Sequence, residues 1–150
     1  MYMGIPRAIY ERYKDIVLTA DVMFVNGIAF LVTLSRGIRL YTTEHLPNRK
    51  KDQLARSLRR IMNLYARGGF CVRTIMMDME FEKVKDQEGM ELVDVNTTAA
   101  REHLGEIERG IRYLKERCRC SVSAFAIVGI KFLAKPIVIW LVYKIGRAHV

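Results

Sequence analysis

The chain has 150 residues, of which 51% are hydrophobic and 27% charged, and its formal net charge at pH 7 is +9. The length predicts one domain with enough apolar residues for a sizeable core. The positive charge favours a polyanionic partner, either nucleic acid or an anionic membrane surface. The three cysteines, Cys71, Cys118 and Cys120, cannot form a zinc finger of ordinary spacing with the few histidines, and their odd number without a secretion signal is typical of a reducing compartment.

The first part of the chain predicts an antiparallel meander. Residues 1–15 are charged and read as a lead-in segment. β-Branched and apolar residues then predict a strand over residues 16–25, and the pair Asn26-Gly27 predicts a hairpin turn into a returning strand over residues 28–35. A third strand is predicted over residues 38–43.

A helix and two further strands are predicted next. Asn48 can cap a helix that ends at Gly68-Gly69. Its apolar residues recur at helical spacing, at Leu54, Leu58, Ile61 and Tyr65. Residues 70–77 are predicted to form the fourth strand, and residues 92–95 a short fifth strand. Between them, the charge-rich residues 82–91 predict a surface loop.

The second predicted helix begins after a cap at Thr97 or Thr98 and carries one apolar stripe. The stripe comprises Leu104, Ile107, Ile111, Leu114 and Cys118. Such a stripe must be buried against the rest of the domain. A meander of three strands followed by alternating helices and strands predicts an α/β domain with a ribonuclease-H-like mixed five-stranded sheet and flanking helices. In that sheet the fourth strand should lie beside the first.

Residues 122–143 are mostly apolar and invite comparison with a membrane span. Lys131, Lys135 and Pro136 interrupt them, and each lysine at the centre of a span costs about 2.5–3.5 kcal/mol. Residues 122–144 are therefore predicted to be a C-terminal helical segment that packs on the core, with a second short helix from Pro136, and no membrane partner is expected.

Three carboxylates are the main candidates for chemistry. Asp21 lies within the first predicted strand, Asp78 closes the fourth, and Glu108 lies midway along the second helix. Two acids at strand ends and one on a helix can converge at one edge of a sheet. There they would repel one another unless a divalent cation neutralised them. A pair of such ions can clamp a phosphodiester for in-line displacement.

The motifs around these acids resemble the catalytic core of retroelement integrases, above all those of copia-like LTR retrotransposons. The stretch from Thr19 to Gly27 looks like the family's first strand with its leading acid. Asp78-Met-Glu-Phe81 looks like a shortened D-x-G-x-E-F, and Gly105-Glu-Ile-Glu-Arg109 looks like the family's G-x-x-E-R, which selects Glu108 rather than Glu106. The 29 residues between Asp78 and Glu108 are fewer than is usual for the family.

The resemblance implies a DDE-type polynucleotidyl transferase that uses two Mg²⁺ or Mn²⁺ ions, held by the three acids, for DNA strand transfer. It implies DNA as the partner, a homo-oligomer in the full-length protein, and a location in the nucleus or in a cytoplasmic particle of the element. Residues 16–121 would form the catalytic core. Because the family carries further domains on both sides, the chain is expected to be a fragment.

The end of the chain, residues 145–150, reads as the translation of a common sequencing adapter and is predicted to be an artefact.

Basic residues predict where nucleic acid binds. Arg101, Arg112, Lys115 and Arg119 share a helix face with Glu108, as they would in a helix that holds a metal ion and grips DNA. The first helix carries further candidates, Arg56, Arg59 and Arg60, in a stretch with a single acid, Asp52.

Three alternatives stay open. A ribonuclease H would be expected to carry a metal-binding Glu in its first helix, and residues 49–67 contain none. A decayed remnant could bind nucleic acid without catalysis, which fits the short connection before Glu108. A basic membrane-surface protein rests only on residues 122–143.

Overall fold

The computed structural model describes residues 6–97, 100–127 and 134–147, without the side chains of residues 100–107, 122, 125–127, 146 and 147. In chain order the elements are α1 (Arg7–Tyr13), β1 (Asp15–Val25), β2 (Ile28–Ser35), β3 (Tyr41–Leu46), α2 (Lys51–Arg67), β4 (Cys71–Met76), a 3₁₀ helix (Met79–Asp86), β5 (Asp94–Asn96), α3 (Ala100–Ile127) and α4 (Lys135–Arg147).

The five strands form one mixed sheet in the order β3-β2-β1-β4-β5. β1, β2 and β3 pair antiparallel, and β4 pairs parallel to both β1 and β5. The predicted hairpin is confirmed. Asn26 and Gly27 have φ angles of 50° and 75°, and two successive residues with positive φ form the turn that matches the twist of a hairpin. The predicted pairing of the first and fourth strands is also confirmed.

The sheet separates two apolar clusters. On one face, Ile16, Leu18 and Ala20 of β1 pack in a cluster with α2. The α2 members of this cluster are Leu54, Ala55, Leu58, Ile61 and Tyr65. On the other face, Met23 and Val25 of β1 pack in a second cluster with α3 and α4. The helix members of the second cluster are Ile111, Leu114, Cys118, Val138 and Val142. Successive residues of a strand point to opposite faces, so even and odd residues of β1 serve different helices.

The stripe that predicted α2 is buried as expected. The stripe that predicted α3 is buried at Ile111, Leu114 and Cys118, whereas the side chains of Leu104 and Ile107 lie outside the described residues.

The predicted third strand, residues 38–43, is wrong by three residues. Arg39 has a φ angle of 54°, which a strand cannot accommodate. Ser35 and Leu40 close the turn, because the Ser35 amide donates to the Leu40 carbonyl at 3.0 Å and the Leu40 amide donates to Ser35 Oγ at 3.1 Å. The chain is therefore free to pair with β2 only from Tyr41 onwards.

The predicted cap of α2 is also wrong. The N-cap residue is Lys50, whose side chain makes no capping hydrogen bond. Asn48 instead accepts a hydrogen bond from the Lys50 amide through Oδ1, at 3.0 Å, and so shapes the turn that precedes the helix.

For α3, the hydroxyl of Thr97 is buried without a hydrogen-bond partner in the described part of the chain, and Thr98 lies outside that part.

Residues 82–91 are only in part the surface loop that their charge predicts: residues 87–91 form an irregular segment with turns, whereas residues 82–86 belong to the 3₁₀ helix. The 3₁₀ helix begins at Met79, and Phe81 and Val84, three residues apart, bury their side chains in the first cluster together with Met90. A spacing of three matches one turn of a 3₁₀ helix. The fifth strand is also shorter than predicted and begins later, at Asp94, and Leu92 is 96% exposed.

The two ends of the chain contain helices. α1 lies within the predicted lead-in segment. α4 begins at Lys135 and confirms a second helix near Pro136. It continues to Arg147, and Ile145 packs against the second cluster; the predicted adapter origin of residues 145–150 stays a prediction. Within the described ranges, no helix is both long and apolar enough to cross a membrane.

The α2 interface yields a prediction about stability. Leu58 is 0% exposed, whereas Leu64 on the same helix is 48% exposed. Leu58→Ala should lower the free energy of unfolding by about 2–5 kcal/mol, because it leaves a cavity in the first cluster. Leu64→Ala should change it by no more than about 0.5 kcal/mol. Urea unfolding measures both, and equal losses would mean that α2 does not pack through the Leu58 face.

Candidate active site

The parallel pairing of β1 with β4 brings Asp21 and Asp78 level with each other. The last recorded pairs are Leu18 with Ile75 and Thr19 with Met76, and the same register continued by two residues sets Asp21 opposite Asp78. Asp78 follows the strand with extended backbone, at φ −68° and ψ 155°.

Both aspartates belong to the sheet face that carries α3. Met77 is buried in the first cluster with Ala20, on the α2 side. Because neighbouring residues of an extended chain alternate, Asp78 and Asp21 point to the opposite side. Asp21 pairs across β1 and β2 with Val32, which belongs to the second cluster.

Asp21 is half-buried, and three other carboxylates lie near enough to affect it. Burial is the main cause that raises the pKa of its carboxyl group, and the charges of Asp78, Glu80 and Glu108 raise this pKa further. The Val22 amide, which donates to Asp21 Oδ1 at 2.8 Å, acts in the opposite direction. Asp78 and Glu108 therefore both lie near enough to Asp21 to act electrostatically on its carboxyl group.

Asp21 and Glu108 also line one cavity, of about 380 Å³, between β1 and α3. Glu108 is exposed on the α3 side of it. The basic side chains of this cavity are those predicted from the α3 face, namely Arg112, Lys115 and Arg119. The cavity holds one further acid, Glu116. The structure thus brings three of the predicted phosphate-binding residues beside two of the predicted catalytic acids.

The remaining predicted basic residues are elsewhere or undescribed. Arg56, Arg59 and Arg60 belong to α2, which packs on the opposite face of the sheet. Arg60 forms an ion pair of 3.7 Å with Glu44 on β3. The side chain of Arg101 lies outside the described residues.

Glu80 and Arg49 belong to the site, although the sequence analysis did not select them. The negative charge of Glu80 helps to raise the pKa of Asp21, and Arg49 Nη2 lies 3.6 Å from Glu80 Oε1. The position of Glu80, two residues after Asp78 in an exposed turn, was a signal that could have identified it. Nothing in the sequence pairs Arg49 with Glu80, because the two belong to segments that meet only in the folded chain.

The chemistry of these acids fits a hard divalent cation, although their positions do not form a closed site. Carboxylate oxygens are the ligands that Mg²⁺ and Mn²⁺ prefer. Asp21 and Asp78 each use Oδ1 to accept a neighbouring backbone amide at 2.8 Å, which leaves further acceptor capacity on each carboxylate. Among the residues whose side chains are described, no group of three His, Cys, Asp or Glu is placed to hold one metal ion.

The architecture around this site defines the class of fold. A mixed five-stranded sheet with flanking helices and the parallel β1–β4 pair is the ribonuclease-H-like fold of integrase catalytic cores, as predicted from the sequence.

Comparison with solved structures agrees with this class. The chain is similar to the crystal structure of the catalytic core domain of BIV integrase, with a TM-score of 0.57 and 16% sequence identity, over 84% of this chain and 80% of that chain. At this identity the likeness shows the fold. No protein-family model matches the chain, and no curated protein matches it.

The raised pKa of Asp21 leads to a prediction about pH. The ionised carboxylate is disfavoured in the folded chain, so Asp21→Asn should raise the free energy of unfolding at pH 7. The gain should shrink as the pH falls through the raised pKa of Asp21 and vanish below the ordinary value of 3.8, where the carboxyl group is protonated in both states. Thermal unfolding between about pH 2.5 and pH 8 measures this difference.

Asp15→Asn is the matched control for that experiment. Asp15 is exposed at the start of the same strand and pairs with the exposed Arg73 at 3.1 Å. Its replacement should bring no gain in stability at any pH. A loss of stability in Asp21→Asn at pH 7 would contradict the electrostatic account of the site.

Proposed function

We propose that this chain is the catalytic core of a retroelement integrase and that it performs metal-dependent DNA strand transfer. The observation that carries the proposal is that the charges of Asp78 and Glu108 both act on Asp21, and that Asp21 and Glu108 line one cavity with the basic residues of α3. The sequence motifs around the three acids favour the copia-like LTR retrotransposons as its origin.

Asp21, Asp78 and Glu108 are the residues that would hold two Mg²⁺ or Mn²⁺ ions. When bound, such a pair supplies the charge that activates water or a DNA 3′-hydroxyl and stabilises the leaving oxygen. No side chain has to attack the phosphodiester in this chemistry, so a protein nucleophile is not needed.

The chain itself contributes orientation and binding. The amides of Val22 and Met79 donate to Asp21 and Asp78, and these hydrogen bonds orient the two carboxylates, one within β1 and one just after β4. Arg112, Lys115 and Arg119 line the groove beside Glu108 and would neutralise phosphates of the bound DNA. The attacking group and the scissile phosphate would therefore meet at the carboxyl end of β1.

The wider setting is part of the same proposal. The partners would be the DNA ends of the element and its target DNA. The full-length protein would be a homo-oligomer, acting in the nucleus or in a cytoplasmic particle of the element.

The second candidate function is nucleic-acid binding without catalysis, by a decayed remnant of such an element. It is favoured by the lack of three metal-ligating side chains at one point in the described part of the chain and by the ion pair that Glu80 makes with Arg49. A ribonuclease H is less favoured, because α2 contains no Glu.

Glu108→Gln tests the catalytic proposal. The substitution preserves size and helix propensity but removes one negative charge from the metal site. DNA affinity should survive, whereas strand joining in Mg²⁺ or Mn²⁺ should fall by orders of magnitude. Mg²⁺ at about 100 times its dissociation constant should raise the free energy of unfolding of the wild type by about 2.7 kcal/mol and that of Glu108→Gln by less.

Glu106→Gln is the control, because residue 106 lies about 200° around the helix from residue 108. It should leave strand joining and the response to Mg²⁺ unchanged. Equal strand joining in the wild type and Glu108→Gln would refute the catalytic role. If neither joins strands or responds to Mg²⁺ and both bind DNA, the remnant is the better account.

The salt dependence of DNA binding tests the α3 groove. Replacing Arg112 and Lys115 together by Gln should reduce the slope of log K against log salt by about two, because two phosphate contacts are lost. Replacing Arg56 and Arg60 by Gln removes the same charge from the α2 side and should change the slope less. The reverse order would place the DNA on the α2 side of the sheet.

A further inference from the structure

Phe24 is an exposed aromatic residue next to the candidate active site. It lies three residues after Asp21 on β1, and 46% of its surface is exposed. The guanidinium of Arg49 lies 5.4 Å from the centroid of its ring, and the same guanidinium group pairs with Glu80. The contact with the ring and the ion pair with Glu80 both restrain Arg49, so a cation lies against one side of the phenyl group.

β1 is longer than its partner on this side of the sheet. Its pairing with β4 ends at Thr19, whereas the strand continues to Val25. Beyond Asp21, the edge of β1 that faces β4 therefore has no strand neighbour in the described part of the chain. Residues from both faces of β1 can border a ligand at this edge.

A second cavity, of about 250 Å³, lies beside this end of the strand. Phe24, Val25 and Asn26 line it from β1 and the hairpin turn, and Lys115 and Arg119 line it from α3. The same two basic residues also line the cavity of Asp21 and Glu108. Lys115 and Arg119 are therefore shared by the cavity of the carboxylates and the cavity beside Phe24.

We propose that Phe24 and this second cavity form a binding site for an unpaired nucleobase of single-stranded DNA. The base would stack on the phenyl ring, and the flanking phosphates would lie against Lys115 and Arg119. The phenyl ring offers no hydrogen bond, so the site accepts any base. The identity of the nucleic acid as DNA rests on the proposed function, and the site deepens it by specifying an unpaired strand end as the substrate.

The chemistry of the cavity favours a nucleotide over other occupants. An apolar peptide or an acyl chain would use Phe24 and Val25 but would leave the two cations of α3 unneutralised. A phosphate alone would use the cations and leave the ring in water. A nucleotide satisfies both, because it joins a flat apolar base to a charged phosphate.

The test uses the whole chain and a DNA duplex with a short single-stranded overhang that carries 2-aminopurine. Stacking on an aromatic ring quenches the fluorescence of this base, so binding to the wild type should quench it. Phe24→Leu, which keeps an apolar side chain but removes the ring, should abolish the quenching and weaken overhang binding by roughly 5- to 150-fold, as expected for one lost stack. Phe24→Tyr should retain both, while blunt duplex should bind equally to all three proteins.

Tyr113 is a matched control. It is 47% exposed and has the guanidinium of Arg117 5.8 Å from its ring centroid, but it lines a different cavity with Arg39 and Tyr41. Tyr113→Leu should leave the quenching and the affinity unchanged.

Several results would overturn the proposal. Undiminished quenching in Phe24→Leu would place the base elsewhere. An equal loss of affinity for overhang and blunt DNA would give Phe24 a structural role only. Phe24-dependent binding to phosphatidylserine vesicles without quenching by DNA would make the ring a membrane contact. Ring-dependent quenching without strand joining would uphold the base site while the proposed catalytic function fails, and strand joining without such quenching would do the reverse.

Discussion

The parallel pairing of β1 with β4 is the constraint on which the rest of the site depends. Two parallel strands end at the same edge of a sheet, so this pairing sets Asp21 level with Asp78 and points both towards α3. Their repulsion works against the fold. It is tolerated because β1 is anchored on both faces, with Leu18 in one apolar cluster and Met23 in the other. A strand buried on both sides can carry an unfavourable charge near its end without losing its position.

Because helices pack on both faces of the sheet, the basic residues of these helices are divided between the two faces. α2 and its arginines lie on one face of the sheet, and α3 with Arg112 and Lys115 lies on the other, beside the carboxylates. The net charge alone therefore does not locate the proposed nucleic-acid site. Arg49 is an exception to this division. It lies just before α2, but it contacts Phe24 and Glu80 near the part of β1 that has no pairing with β4. The surface around the site thus draws on both sides of the sheet.

The sequence predicted those features that depend on local periodicity. The Asn26-Gly27 turn, the long strands and the buried stripe of α2 follow from spacing and turn chemistry, and they are present in the structure. Features set by single backbone conformations were missed. The positive φ of Arg39 delays β3, and the 3₁₀ helix after Asp78 buries Val84 in a segment whose charge suggested a loop. In the same way, motifs select the three candidate acids, whereas the contacts of Arg49 arise between segments distant in sequence.

In the proposed function, the charges at the site would couple the binding of a cation to the binding of a polyanion. The acids are Asp21, Asp78, Glu80, Glu108 and Glu116, and the bases are Arg49, Arg112, Lys115 and Arg119. Acids and bases nearly cancel, so a DNA phosphate would bring an excess of negative charge to a half-buried carboxylate whose pKa is already raised. That excess can be relieved by protonation of Asp21 or by divalent cations bound among the acids. At neutral pH the second route keeps every carboxylate available as a ligand, and DNA and metal ions would then each increase the affinity of the site for the other.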